Sequence, residues 1–382
     1  MSFSAVLRHS ALGFAMLLVG LCAGALPAVA QSPGEAGGTV GAGDALRVGG
    51  LVQADAYLGR TGGPNDGFRA RSARLRLGGQ AEGLSYVVQT DFTSSSALLD
   101  AYVQLPLANR VRLRGGLFKT PYSAEFLTPR PRIRFAERAR VVNALAPNRQ
   151  AGVQLSGDLT AEARDAQVTA TLGAFNGTRG LSTNDNDHLL YLGRLTGAVP
   201  LGPGTLDVGA SGGYSIDDQA TIPNTASSFT GTRLLVQADA QYETERWLVA
   251  GALHAADLEH DGPTVPETEA QSPVGYYATA GLNVDDRHQV LARLEGYDPD
   301  TPGSSPDDQL VLGYNYDASS VLRVVVNYTR RRPRTWPTAS SRGDCRWPFR
   351  RHESERPVPI SYFCGAGANV FGGRPHRVCY LL

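Results

Sequence analysis

The sequence predicts an all-β chain, a transmembrane antiparallel β-barrel of about 16 strands. Three observations predict it. From Asp44 onward, segments of roughly ten residues alternate apolar and polar side chains, the period of a strand. The breaks between segments alternate between short turns and long loops rich in Gly, Pro and Asp, the pattern of an outer-membrane barrel. Finally, 44 glycines beside only two methionines favour sheet with tight turns.

The elements follow in order. In the hexapeptide LVQADA at 51–56, Val52, Ala54 and Ala56 oppose Gln53 and Asp55, and the same six letters return at 235–240. Ala73, Leu75 and Leu77 oppose Arg74 and Arg76; Tyr86, Val88 and Phe92 oppose Gln89 and Asp91; Leu99, Ala101, Val103 and Leu105 oppose Asp100, Tyr102 and Gln104. Val111, Leu113 and Leu117 oppose Arg112 and Arg114, and Leu310, Leu312, Tyr314 and Tyr316 oppose Asn315 and Asp317. Short turns fall at Gly83, 107–109, 201–204, 243–245, 285–286 and 318–319, with long loops near 61–67, 120–147, 177–187, 217–230, 258–272 and 299–307. A soluble sandwich alternates too, but its connections are less regular, and it does not require strands long enough for a tilted crossing. Fifteen strands are readable, the last at 321–328. Even strand numbers and a closed edge then call for a sixteenth after Arg330.

Residues 1–30 read as a cleaved secretory signal, with Arg8, an apolar run over 11–23, and Ala28, Val29 and Ala30 ahead of Gln31. Leu21 before Cys22 is a poor fit to a lipidation site. The domain plan is therefore signal 1–30, a short lead 31–43, a barrel 44–329 and a tail 330–382. The tail carries Cys345, Cys364, Cys379, Trp336 and Trp347 and no alternation; it reads as non-native, with a variable extension as the alternative. Without cysteine, the barrel has no disulfide framework or thiolate metal site. Its only histidines, His188, His254, His260 and His288, are scattered and without a motif, so no catalytic centre is expected. Export argues against nucleic acid as a partner. Calcium at the Asn184, Asp185, Asn186, Asp187 run lacks EF-hand spacing; a solvated loop or a divalent-bridged lipopolysaccharide contact fits better.

The stretch TPRPRIRFAERAR, 128–140, holds Arg130, Arg132, Arg134, Arg138 and Arg140 with Glu137 as its one acid. If Pro129 and Pro131 hold it extended, Arg130, Arg132 and Arg134 point the same way. Arg138 and Arg149 flank them, and parity adds Arg74, Arg76, Arg112 and Arg114 from the wall. Fork-shaped donors of this kind replace part of an oxyanion's water bidentately. The alternative is that these arginines pair with Glu137, Glu125, Asp91 and Asp100 and brace the loop.

The pieces FRARSARLRLGGQAEG (68–83), SYVVQTDF (85–92), LLDAYVQL (98–105), VRLRGGLFKTPYS (111–123), FAERARVVNALAPNRQAGVQLSG (135–157) and GAFNG (173–177) resemble, in order, the phosphate-selective porin O and P family. The resemblance implies a trimeric outer-membrane barrel of sixteen strands, passing small anions such as phosphate or polyphosphate passively and without a cofactor. It also implies that a third loop, here 120–148, dips into the pore. Arg138, Asp91 and Arg71 match positions lining the family's anion site. Parity, however, places Arg71 and Lys119 on the lipid side unless the strand ends bend. Ser72 stands where an arginine is expected, and Phe126 where phosphate-selective members offer lysine. A general or uncharged-nutrient porin, and a structural or adhesive barrel, are the alternatives.

Overall fold

The computed structural model describes residues 39–42, 46–57, 67–160, 166–177, 184, 186–221, 228–260, 271–300 and 306–333. The signal segment and a closing strand within the tail lie outside the described residues. The strands are β1 (Thr39–Ala42), β2 (Leu46–Tyr57), β3 (Gly67–Ala81), β4 (Leu84–Asp91), β5 (Leu98–Ala108), β6 (Val111–Lys119), β7 (Arg149–Asp158) and β8 (Gln167–Phe175). They continue as β9 (Leu190–Leu201), β10 (Gly204–Thr221), β11 (Ser228–Thr244), β12 (Trp247–His260), β13 (Val274–Asn283), β14 (His288–Asp298), β15 (Asp307–Ser319) and β16 (Leu322–Pro333). All belong to one sheet of 16 strands in sequence order, each antiparallel to the next.

Two boundaries differ from the sequence reading. The additional strand is β1, inside the expected lead, where four residues paired with β2 are too few to show alternation. β16 runs on through Arg330 to Pro333 because those residues continue the ladder against Asp307–Leu310. Among the described residues no ladder joins β16 to β1 or β2, so the sheet is not closed by strand pairing.

Side-chain exposure separates this sheet from a soluble sandwich. On β15, Leu310, Leu312 and Tyr314 are exposed, whereas Gln309 and Asn315 on either side of them are buried, Asn315 at 1%. Apolar side chains cover the outside and polar ones the inside, the inversion a lipid-facing barrel requires. Tight turns fix the register: in the β3–β4 hairpin Glu82 and Gly83 both have positive φ, 52° and 81°, the two-residue turn that follows sheet twist.

One glycine shapes the interior. A Cβ at Gly209 on β10 would lie 2.4 Å from Arg194 Nη2 and 2.6 Å from Asp239 Oδ1, so its absence lets Arg194 of β9 reach across to Asp239 of β11. Gly209→Ala is expected to cost about 1–3 kcal/mol by forcing that buried pair apart. A lowered unfolding temperature by heat-modifiable gel mobility would show it; an unchanged one would mean the pair has room to shift.

Candidate functional site

The β6–β7 connection, residues 120–148, carries the arginine stretch. It holds a short helix Ala124–Leu127 capped by the Ser123 hydroxyl, a 3-10 turn Arg130–Arg132, and a second helix Arg140–Leu145. Its base closes where Thr120 N–H donates to the Asn148 carbonyl at 3.1 Å. Tyr122, Phe126, Val141, Val142 and Leu145 pack into one buried cluster with wall residues Phe118, Phe175, Leu235, Leu258 and Tyr297.

Polar anchors reach it from around the sheet. Arg194 donates to the Tyr122 carbonyl at 2.7 Å, and Asp239 accepts from Ala124 N–H at 3.1 Å. Arg293 of β14 binds Glu125 at 3.1 Å and the Glu137 carbonyl at 3.1 Å, and lies over the Phe135 ring at 4.4 Å. Asn315 of β15 donates to the Arg134 carbonyl at 3.0 Å. Ala136 N–H donates to Asn327 of β16 at 2.6 Å, while its neighbour Glu137 pairs with Arg71 of β3 at 2.5 Å. Consecutive loop residues thus hold strands near opposite margins of the sheet, which is possible only with the sheet curled around the loop.

The arginines do not form one rank. Residues 130–132 turn as a 3-10 helix rather than extending, so the two-residue spacing does not align them. Arg130 reaches Gln53 on β2 at 3.1 Å, and Arg134 reaches Glu243 on β11 at 2.5 Å. Arg132 between them is exposed and, among the described residues, makes no side-chain hydrogen bond or ion pair. Arg138 donates to the carbonyls of Glu125 and Thr128 at 2.9 and 2.7 Å. Burial lowers its guanidinium to about 10, which still leaves it charged at neutral pH. Burial likewise raises the Glu125 carboxyl, against the pull of Arg293.

The wall residues are mostly engaged. Arg74 pairs with Asp91 at 2.9 Å, and Asp91 also accepts from the Ser72 hydroxyl at 2.6 Å. Arg149 grips Asp100 through two bonds of 2.9 and 3.1 Å. Arg114 binds Gln104 at 2.8 Å and lies 4.5 Å from the Tyr102 ring centroid, with Arg76 and Arg112 as charged neighbours. Arg112 itself is exposed near the β5–β6 turn. The acids named as bracing partners are therefore used, but by wall arginines: Glu137 by Arg71, Glu125 by Arg293, Asp91 by Arg74 and Asp100 by Arg149.

Two parity expectations change. The register of β2 against β3 slips between Gln53 and Ala54, which pair with Ser72 and Ala70, leaving Arg71 as the extra residue of a bulge. A bulge re-aims a side chain. Arg71 consequently points inward to Asp55 and Glu137 rather than to lipid. Lys119, the only lysine in the sequence, ends β6 and folds over the loop, donating to the carbonyls of Phe126, Leu127 and Thr128 at 2.8, 3.2 and 3.1 Å. It supports the helix end next to Phe126. Lys119→Met is expected to leave these carbonyls short of a donor and to speed proteolysis within 120–148 at unchanged assembly; an unchanged rate would show that water replaces the amine.

Arg194, Asp239, Arg293 and Asn327 escaped the sequence reading, which placed Asn315 on a polar face but not as an anchor of the loop. A signal existed at 291–297, where Leu291, Arg293, Glu295 and Tyr297 share the inward parity and put opposite charges two residues apart. Among the described residues no group of three or more His, Cys, Asp or Glu is placed to hold a metal.

The sequence profile of phosphate-selective porin O and P matches residues 47–265, more than half of the chain. The chain belongs to the phosphate-selective porin O and P family. That match spans β2 to β12 and the whole 120–148 loop; β13–β16 lie beyond it. No curated protein sequence matches this porin. Among solved structures it is similar to the outer-membrane protein OmpT of Vibrio cholerae in its trimer form, at 14% identity and a TM-score of 0.53, over 76% of this chain and 90% of that one. It is also similar to the outer membrane channel DcaP of Acinetobacter baumannii, at 12% identity and a TM-score of 0.53, over 80% of this chain and 94% of that one. These likenesses concern the fold, that of outer-membrane porin barrels.

Proposed function

We propose that this porin is a passive, anion-favouring diffusion channel, narrowed by the 120–148 loop, with phosphate or polyphosphate among its solutes. The observation that carries the reading is Arg132: an uncompensated guanidinium on a loop bonded to the inward face of the sheet. Arg130 beside it is bonded to an uncharged amide. A cavity of about 270 Å³ next to Pro131 is lined by Arg47, Arg74 and Arg76 with the amides of Gln80 and Gln89, and no acid is among its lining residues. Several weak cationic positions attract an anion without trapping it, since a unit pair about 4 Å apart gains only ~4 kcal/mol at an effective dielectric of 20.

The reading includes export through a cleaved signal, residence in the outer membrane against lipopolysaccharide, and assembly as a homotrimer, which the trimer form of the similar OmpT supports. Reversal potentials in asymmetric potassium chloride test it, followed by inhibition of the chloride current with added phosphate. An anion-side potential and phosphate inhibition are expected; a cation-side potential sinks the anion preference.

A second reading, a general or uncharged-nutrient porin, draws on the neutralisation of Arg71, Arg74, Arg134 and Arg149 by carboxylates. It predicts near-zero reversal potentials and no phosphate effect. A structural or adhesive barrel predicts no unit conductance at all.

A further inference from the structure

The loop turn stands between two spaces of different charge. Pro131 lines the basic cavity against β2–β4; Arg132, Ile133, Arg134 and Phe135 line a second cavity of about 480 Å³ against β8–β13. That second space is amphoteric. Within it Arg134 is bonded to Glu243, Arg194 to Asp239 and Glu125 to Arg293, so most of its charge is already matched.

Two charges are left over. Asp207 on β10 is exposed to the cavity and, among the described residues, has no hydrogen bond or ion pair; the charged groups acting on it are Glu243 and Asp239, both acids. Arg132 is the unmatched cation lining the same space. Arg194 also lines this space, and its buried Nε has no partner although the rest of its guanidinium is bonded. The remaining lining suits a small organic body, with Leu248, Ala250, Phe135 and Tyr277 beside the hydroxyls of Thr169 and Thr279.

We propose that this cavity is a subsite for small zwitterions, the ammonium end held at Asp207 and the oxyanion end at Arg132. A simple oxyanion satisfies only Arg132 and leaves Asp207 unanswered; a simple ammonium satisfies only Asp207 and leaves Arg132 unanswered. A solute carrying both groups answers both leftover charges at once. The proposal rests on the open-channel reading above but not on its anion preference.

The test uses the full chain in planar bilayers and compares interruption of the chloride current by 2-aminoethyl phosphate, ethyl phosphate and ethylammonium. The first two share the oxyanion and differ in the ammonium. One added charge-assisted contact predicts half-maximal block by 2-aminoethyl phosphate at about tenfold lower concentration than ethyl phosphate. Asp207→Asn is expected to bring that ratio to about one, and Arg132→Gln to weaken block by both phosphates. Equal block of the unaltered protein by the two phosphates overturns the proposal, as does a ratio that survives Asp207→Asn. Should Asp207→Asn not assemble, the ratio on the unaltered protein decides. Reversal potentials report anion preference separately, so a cation-selective channel with a tenfold ratio would reject that preference and keep the subsite.

Discussion

Replacing Arg293 with methionine is expected to unfasten the 120–148 loop and produce a noisier channel of larger unit conductance. Arg293, with its side chain 2% exposed, holds Glu125 at 3.1 Å, Glu295 at 2.9 Å and the Glu137 carbonyl at 3.1 Å. Methionine keeps much of the volume over Phe135 but removes the charge, leaving the buried Glu295 and the half-buried Glu125 without their cation, a loss of about 3–5 kcal/mol. The loop has other anchors at Arg194, Asp239 and Asn327, so the barrel is expected to assemble and the defect to fall on the gate. The pH dependence has a definite sign. Burial already raises the Glu125 carboxyl, and without Arg293 it rises further. Lowering the pH then protonates Glu125 and removes the unpaired charge, so the variant's excess noise should shrink as the pH falls, and should do so above the ordinary carboxylate range. Arg293→Met combined with Glu125→Gln should be quieter than Arg293→Met alone. Conductance and noise identical to the unaltered protein would show that Arg293 does not hold the gate.

Arg132→Glu is expected to move the reversal potential from the anion side toward or past zero with little effect on stability. The side chain is exposed and unbonded among the described residues, and surface changes of that kind stay within about 0.5 kcal/mol. A unit charge about 8 Å from a passing ion shifts its energy by ~2 kcal/mol at an effective dielectric of 20, and reversing the sign doubles the change. Salt screens part of it, so the shift should be larger at 0.1 M than at 1 M. Arg134→Gln should act in the same direction by releasing the carboxylate of Glu243. An unmoved potential in Arg132→Glu would place the narrowest point elsewhere.

What the sequence showed and what it concealed divide along the range of the interactions. Alternation is local, so the strands and the span of the 120–148 loop could be read from neighbouring residues. β1 has four residues, too few for a period to register. Arg71 was placed by counting twos, and one inserted residue in β3 reverses that count. The arginine rank assumed an extended backbone between two prolines, whereas a 3-10 turn sends Arg130 and Arg134 to different walls. Arg194 and Arg293 lie 72 and 168 residues from the loop residues Tyr122 and Glu125 that they hold, and only the curl of the sheet brings them together.

The join between Glu137 and β3 on one side and Ala136 and β16 on the other makes this step of the 120–148 loop an inner tie-rod. A wall that spreads must drag the 130–137 segment with it or let go of one margin.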